Sequence, residues 1–122
     1  MRIPFLLAAI LLVFLAVAHS YLGERYILMR LFRLEGLPKL FGGPAFTRQT
    51  LRFAWHLTSV AWVGFGGVLV TLAFPASAWS QAQVIAITFG VSGVLALVGS
   101  RGRHLSGVVF FTIAALVWGG HR

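Results

Sequence analysis

Residues 51–67, LRFAWHLTSVAWVGFGG, decide the kind of fold this chain adopts. The stretch is apolar enough for a membrane interior, yet it carries an arginine, a histidine and a serine. Arg52, His56 and Ser59 are spaced four and three residues apart, so they share one face of an α-helix. Polar side chains in a membrane helix face the protein interior or a watered cavity, because lipid cannot satisfy them. The stretch therefore predicts a membrane helix that packs through this polar stripe.

The composition of the whole chain indicates the same environment. Hydrophobic residues make up 59% of the 122 residues, charged residues only 10%, and the mean hydropathy is +0.92. A soluble domain carries about a quarter charged residues. The chain contains no cysteine, which excludes disulfides, thiolate chemistry and iron–sulfur clusters. We expect a single membrane domain over residues 1–122.

Four stretches are apolar and about long enough to cross a bilayer, which takes roughly twenty residues. They cover about residues 3–22, 50–74, 82–99 and 103–120. We predict helices, because strands of a membrane barrel alternate polar and apolar residues and these stretches do not. The third carries small residues that allow close helix packing, namely Ala86, Gly90, Gly93, Ala96 and Ser100. The predicted fold is an all-α integral membrane protein, a compact bundle of four transmembrane helices.

The segment 23–49 between the first two spans has its own pattern. Ile27, Leu28, Leu31 and Leu34 recur at helical spacing while arginines take other positions. This predicts a short amphipathic helix, near residues 24–34, lying at the cytoplasmic interface. Glycines and prolines then predict a turn-rich return to the second span.

Charge predicts the orientation of the chain. Eight of the ten basic residues lie in the connections that follow the first and third spans or at the start of the second span. The other two, Arg2 and Arg122, lie at the termini. Basic loops stay cytoplasmic, so both termini are expected outside a bacterial inner membrane. Ala16-Val17-Ala18 resembles a signal-peptidase site, but the apolar stretch from Ile3 exceeds the usual length of a signal peptide's apolar region, and we expect it to be retained.

The basic residues between the first two spans predict contact with anionic lipid headgroups. The five residues in this prediction are Arg25, Arg30, Arg33, Lys39 and Arg48. No nucleic-acid partner is expected, because the sequence offers no soluble domain to present a groove-reading element. A homo-oligomer and a larger membrane complex both stay open as assemblies.

The predicted topology brings three histidines, His19, His56 and His104, to the cytoplasmic half of the protein. Three imidazoles suit an open site for zinc, copper or iron. Glu24 lies five residues past His19 and on a different helical face, so it is a further ligand only if Gly23 ends the first helix. Two of the histidines are an alternative axial pair for haem b. The leading functional hypothesis is a histidine-lined metal or haem site near the cytoplasmic interface.

Other functions compete with this hypothesis. The histidines of a structural or accessory subunit would only hydrogen-bond carbonyls, headgroups or water. Small proton-coupled transporters use a membrane-embedded carboxylate, and the chain has no aspartate and only Glu24 and Glu35. A transporter would therefore have to titrate a histidine. With no acid predicted to orient a Ser–His pair, serine catalysis is not expected.

Overall fold

The computed structural model describes residues 1–121, and every regular element in that range is helical. Local sequence explains several helix ends. Pro4 lies in the first turn of the first helix, where its missing N–H is harmless. Ser80 and Gln83 form a reciprocal capping box at the start of the fourth helix. The elements are α1 (Ile3–Leu22), a π-helical segment (Gly23–Leu28), α2 (Met29–Leu31), α3 (Ala45–Ala73), α4 (Gln81–Gly99) and α5 (Ser106–Gly120).

Three helices are long and apolar enough to cross a membrane. They are the continuous first helix Ile3–Leu31, which joins α1, the π-helical segment and α2, and then α3 and α4. The fourth predicted span is a shorter apolar helix, α5, of 15 residues. At 1.5 Å per residue it is about 22 Å long, less than the roughly 30 Å hydrocarbon core. The protein is an all-helical chain with three candidate membrane-spanning helices.

The compact four-helix bundle predicted from the sequence is wrong. Within residues 1–121, α1 packs on α3, α3 on α4 and α4 on α5, and no other pair of these four helices is in contact. The helices therefore form an open row with α3 and α4 in the middle. Lipid supplies no hydrophobic force that would close such a row. The exposed side chains of α1 and α5 are mostly apolar.

The segment between the first two spans also differs from its prediction. The first helix continues to Leu31, so residues 24–31 extend a span and do not begin a separate helix. Leu28 is fully buried there, which explains why the segment stays against the protein. The next helix, α3, begins at Ala45, before the apolar stretch itself, because Thr47, Arg48 and Gln49 are compatible with a helix outside the hydrocarbon.

The row has two chemically different ends. At one end the Arg2 N–H donates to the Ala73 carbonyl (3.0 Å), and the Ser80 hydroxyl lies 3.3 Å from His121 Nδ1. At the other end the His104 ring contacts the rings of Phe46 and Phe53 at the start of α3. The loops 32–44 and 100–105 therefore share this second end, which we call the basic end. Arg122 lies outside the described residues, and the side that faces the cytoplasm stays a prediction.

Candidate functional site: a polar cluster between α1 and α3

His56 is the centre of a hydrogen-bonded cluster between the first helix and α3. Its Nδ1 lies 2.9 Å from the hydroxyl of Ser20, and its Nε2 lies 3.1 Å from Oε2 of Glu24. The Ser20 hydroxyl is also 2.7 Å from the hydroxyl of Ser59. Both ring nitrogens of His56 are therefore occupied by side chains of the neighbouring helix. We call Ser20, Glu24, Arg52, His56 and Ser59 the polar cluster.

Arg52 completes the cluster by holding the same carboxylate as His56. Its Nη2 lies 2.8 Å from Oε1 of Glu24, and its Nε donates to Oε2 over 3.3 Å. The guanidinium also lies over the ring of Phe32, 5.0 Å from its centroid. Arg52 therefore contacts both oxygens of Glu24 and His56 contacts one, which fixes the carboxylate against α3.

The cluster forms because two local spacings meet. Ser20 and Glu24 are four residues apart and therefore share one face of the first helix, and Arg52, His56 and Ser59 share one face of α3. The two helices are consecutive and run in opposite directions, so the end of one lies beside the start of the other. The polar stripe predicted on residues 51–67 faces α1 in the structure as far as Ser59.

One inference from the sequence is wrong at this point. We expected no acid to orient a Ser–His pair, because Glu24 was compared only with His19, from which it lies on a different helical face. That comparison used His19 as its reference, whereas the pairing depends on the spacing from Ser20. The i, i+4 relation of Ser20 and Glu24, matched to the stripe on α3, is the signal in the sequence that predicts the His56–Glu24 pair.

A close contact at Gly23 holds the two helices together beside the cluster. The Trp55 indole N–H donates to the His19 carbonyl over 3.0 Å. A Cβ at Gly23 would lie only 2.0 Å from that indole nitrogen, so only glycine fits there. The π-helical segment begins at the same residue, and π-turns inside α-helices are frequent at functional sites.

His19 lies on the other side of Trp55 from the cluster's hydrogen bonds. Its ring stacks on Trp55, with centroids 4.5 Å apart and planes 3° from parallel, and meets Trp62 edge-on. His19 Nε2 is buried without a hydrogen-bond partner in the described chain. The histidine is therefore part of an aromatic stack, not a member of the polar cluster.

His104 has a third environment, at the start of α5. The ring Nδ1 of His104 accepts from the backbone N–H of Ser106 (3.2 Å) and lies 2.7 Å from the Ser106 hydroxyl. The backbone N–H of His104 donates to Ser100 Oγ. These bonds satisfy backbone groups at a helix start. Residues 1–121 contain no group of three or more His, Asp or Glu side chains placed to hold a metal ion. Metal or haem binding by His19, His56, His104 and Glu24 stays a prediction without support from this arrangement.

The cluster has two hydrogen-bonding patterns that differ by one proton. With neutral His56 protonated at Nε2, the ring donates to Glu24, Nδ1 accepts from the Ser20 hydroxyl, and Ser59 donates to Ser20. With a proton added at Nδ1, the ring donates to both Glu24 and Ser20, and the Ser20 hydroxyl donates to Ser59, which is the direction seen in the structure. Hydroxyl groups can rotate to serve either pattern. The four groups therefore keep the same hydrogen-bond partners in both patterns.

The side chains of the cluster differ in how far they are buried. Ser59 is buried, whereas the side chains of His56 and Glu24 keep 28% and 31% of their exposure and that of Arg52 keeps half. The protein therefore encloses the cluster only in part. Comparison of the chain with protein-family models, with curated proteins and with solved structures finds no match, so these contacts alone carry the functional argument.

Proposed function

We propose that this protein is a proton-binding membrane protein whose functional group is the His56–Glu24 pair of the polar cluster. The observation that carries the proposal is that side chains of the continuous first helix, one a hydroxyl and one a carboxylate, occupy both nitrogens of His56. Histidine is the side chain whose ordinary titration falls between pH 5 and 8. Ionisable groups within membrane helices mark proton relays and coupled sites.

The geometry favours proton exchange over hydrolysis. A Ser–His–Glu chain also occurs in nucleophilic catalysis. Here the Ser20 hydroxyl lies between His56 and Ser59 and is engaged by both, at 2.9 Å and 2.7 Å. An attacking hydroxyl needs one open side for the substrate carbon. Ser20 serves better as the link through which the protonation state of His56 reaches Ser59.

The test is a titration of the imidazole nitrogens by solid-state NMR on protein labelled with ¹⁵N-histidine in lipid bilayers. We expect Nδ1 of His56 to convert from a hydrogen-bond acceptor to a donor when the sample is acidified. Glu24→Gln should alter this conversion, because it removes the charge beside Nε2. His121→Gln, at the far end of the row, should leave it unchanged.

Two outcomes would contradict the proposal. One is a His56 ring whose nitrogens do not change when the sample is acidified. The other is a titration that Glu24→Gln does not alter, since the carboxylate would then not belong to the titrating unit. Either outcome would reduce the cluster to a structural contact between two helices.

A second candidate function is that of an accessory subunit in a homo-oligomer or a larger membrane complex. The open row favours it, because only 11% of the apolar window of the first helix is buried within the protein. The absence of cysteine makes the test direct. Single cysteines introduced at the exposed positions Leu7 and Leu11 should cross-link between chains in native membranes if that face has a protein partner, and should react only with lipid-soluble reagents if it does not.

A further inference from the structure

A second polar feature lies at the basic end, away from the polar cluster. The loop after α2 and the start of α3 enclose an open groove of about 700 Å³. Three cationic side chains, Arg33, Lys39 and Arg48, line it together with one acid, Glu35. They are three of the five residues predicted from the sequence to contact lipid headgroups. The other two, Arg25 and Arg30, do not line the groove.

From this arrangement we propose that the groove is a binding site for a phosphate group carried by an anionic lipid headgroup. The charge balance is three cations to one anion, and no ion pair within residues 1–121 uses Glu35 to neutralise them. Arginine side chains recognise phosphate through paired charge-assisted hydrogen bonds. The positive charge that lines the groove therefore exceeds the negative charge there, which favours the binding of an anion.

Two further donors at the groove lack partners. Arg48 Nε is buried and makes no hydrogen bond in the described chain. Pro44, the residue before the 29-residue helix α3, lines the groove, and no side chain caps the first turn of that helix. The N–H groups and the dipole at a helix start favour an anion. Both features add to the positive potential of the groove.

The walls of the groove are held in place by the chain itself. The Thr47 hydroxyl donates to the Pro38 carbonyl over 2.8 Å, which fastens the loop to α3. Leu40 and Gly43 exchange backbone hydrogen bonds across the turn that follows. Leu34, Leu40 and Phe41 lie at least half exposed along this loop. Such side chains suit the acyl region of a bilayer, which is why we assign the phosphate to a lipid.

The experiment is native mass spectrometry of the whole protein released from nanodiscs that contain phosphatidylcholine and phosphatidylglycerol. We expect one phosphatidylglycerol to be retained preferentially. Arg33→Gln and Arg48→Gln should each lower its retention about tenfold, the effect of losing one charge-assisted hydrogen bond. Arg101→Gln and Arg103→Gln are matched controls, because both residues lie at the same end in the other loop, and they should have no such effect.

A second arm adds millimolar inorganic phosphate before release. If phosphate displaces the lipid with the same dependence on Arg33 and Arg48, the site recognises the phosphate group itself. If the lipid stays bound, the intact lipid is the ligand. Lys39→Gln repeats the test in the loop, where a substitution cannot disturb α3, in case Arg48→Gln unfolds. Equal losses in the Arg101 and Arg103 variants, or no retained phosphatidylglycerol in the wild type, would overturn the proposal.

Discussion

The α1–α3 contact and the α4–α5 contact join neighbouring helices by different means. Between the first helix and α3, five side chains form the polar cluster, and the indole of Trp55 binds a carbonyl of the partner helix. Between Gln81–Gly99 and Ser106–Gly120, no side-chain hydrogen bond crosses from one helix to the other in the described chain. The hydroxyls of Ser92 and Thr112 bond carbonyls of their own helices.

The α4–α5 contact depends on small residues. Gly107 lies against the backbone of Gly93, with a Cβ position 3.6 Å from the Gly93 carbonyl oxygen, and the ring of Phe111 covers Gly93. This protein therefore pairs two apolar helices, α4 and α5, without a hydrogen bond between their side chains. Helix association in lipid relies on such close packing. The polar cluster is therefore more than packing requires, and this excess is the reason to assign a function to it.

The first and largest expected effect is at the glycine that allows the α1–α3 approach. Gly23→Ala places a methyl group 2.0 Å from the Trp55 indole nitrogen. The indole is held by its stack on His19 and its hydrogen bond, so it cannot simply turn away. We expect the free energy of unfolding to fall by about 1–3 kcal/mol, the usual range for overpacking. Reversible unfolding in detergent micelles, followed by circular dichroism, measures it.

Gly90→Ala is the matched control in α4. A Cβ at Gly90 meets no atom within 4 Å, and alanine favours a helix more than glycine does. The unfolding free energy should stay the same or rise slightly. If both variants lose equal stability, glycine at position 23 has no special packing role, and the comparison between the two contacts fails.

The second effect is at the carboxylate of the cluster. Glu24→Gln keeps the shape of the side chain but removes the charge that binds Arg52 and His56. We expect a loss of about 1–2 kcal/mol of unfolding free energy, limited because Arg52 is half exposed and water screens the pair. Glu35→Gln, which removes the other carboxylate, should change the same measurement by much less. A larger loss at Glu35 would contradict the structure.

How far the sequence predicts this molecule depends on whether a feature is local. Spacing and composition along the chain predict three local features. They are the apolar stretches, the stripe of Arg52, His56 and Ser59, and the separation of most basic residues from Arg2. The structure has the stripe against α1 and brings the basic loops to one end. These features depend only on helical periodicity and on the order of the helices.

Features that depend on the pairing of surfaces were not predictable in the same way. The bundle was expected to close, but nothing in the composition reports which helix faces stay in lipid. Glu24 was compared with His19, because the histidines were taken as one group, and so its pairing with His56 was missed. His104 lies at the same end of the row of helices as His56, but its side chain accepts a hydrogen bond from the backbone at the start of α5. Position at one end of a protein does not place two side chains in one site.

The third effect separates the aromatic contact from the polar cluster. Trp55→Phe keeps an aromatic ring beside His19 but removes the N–H that donates to the His19 carbonyl. The expected loss is about 1 kcal/mol, the net value of one hydrogen bond. Trp118→Phe in α5 is the control and should have a smaller effect. An unchanged unfolding free energy in Trp55→Phe would show that the indole hydrogen bond adds nothing to the α1–α3 contact.

The smallest effect compares two buried serines, one in each contact. Ser59→Ala removes the hydroxyl that lies 2.7 Å from Ser20, in the α1–α3 contact. Ser92→Ala removes a hydroxyl that bonds only Thr88 of its own helix. Interhelical hydrogen bonds in membranes contribute about 0.6 kcal/mol on average. We expect Ser59→Ala to lose about that amount of unfolding free energy and Ser92→Ala to lose almost none.

A double substitution sharpens this last comparison, because Ser20 links Ser59 to His56. If the four groups from Ser59 to Glu24 act as one hydrogen-bonded unit, the effects of Ser59→Ala and His56→Gln on unfolding will not add. Residues that share a partner typically show interaction energies of about 0.5–3 kcal/mol. The pair Ser92→Ala and His56→Gln, which shares no partner, should be additive. Additive energies for Ser59 and His56 as well would mean that the cluster is a set of separate contacts, through which a proton on His56 would not be felt at Ser59.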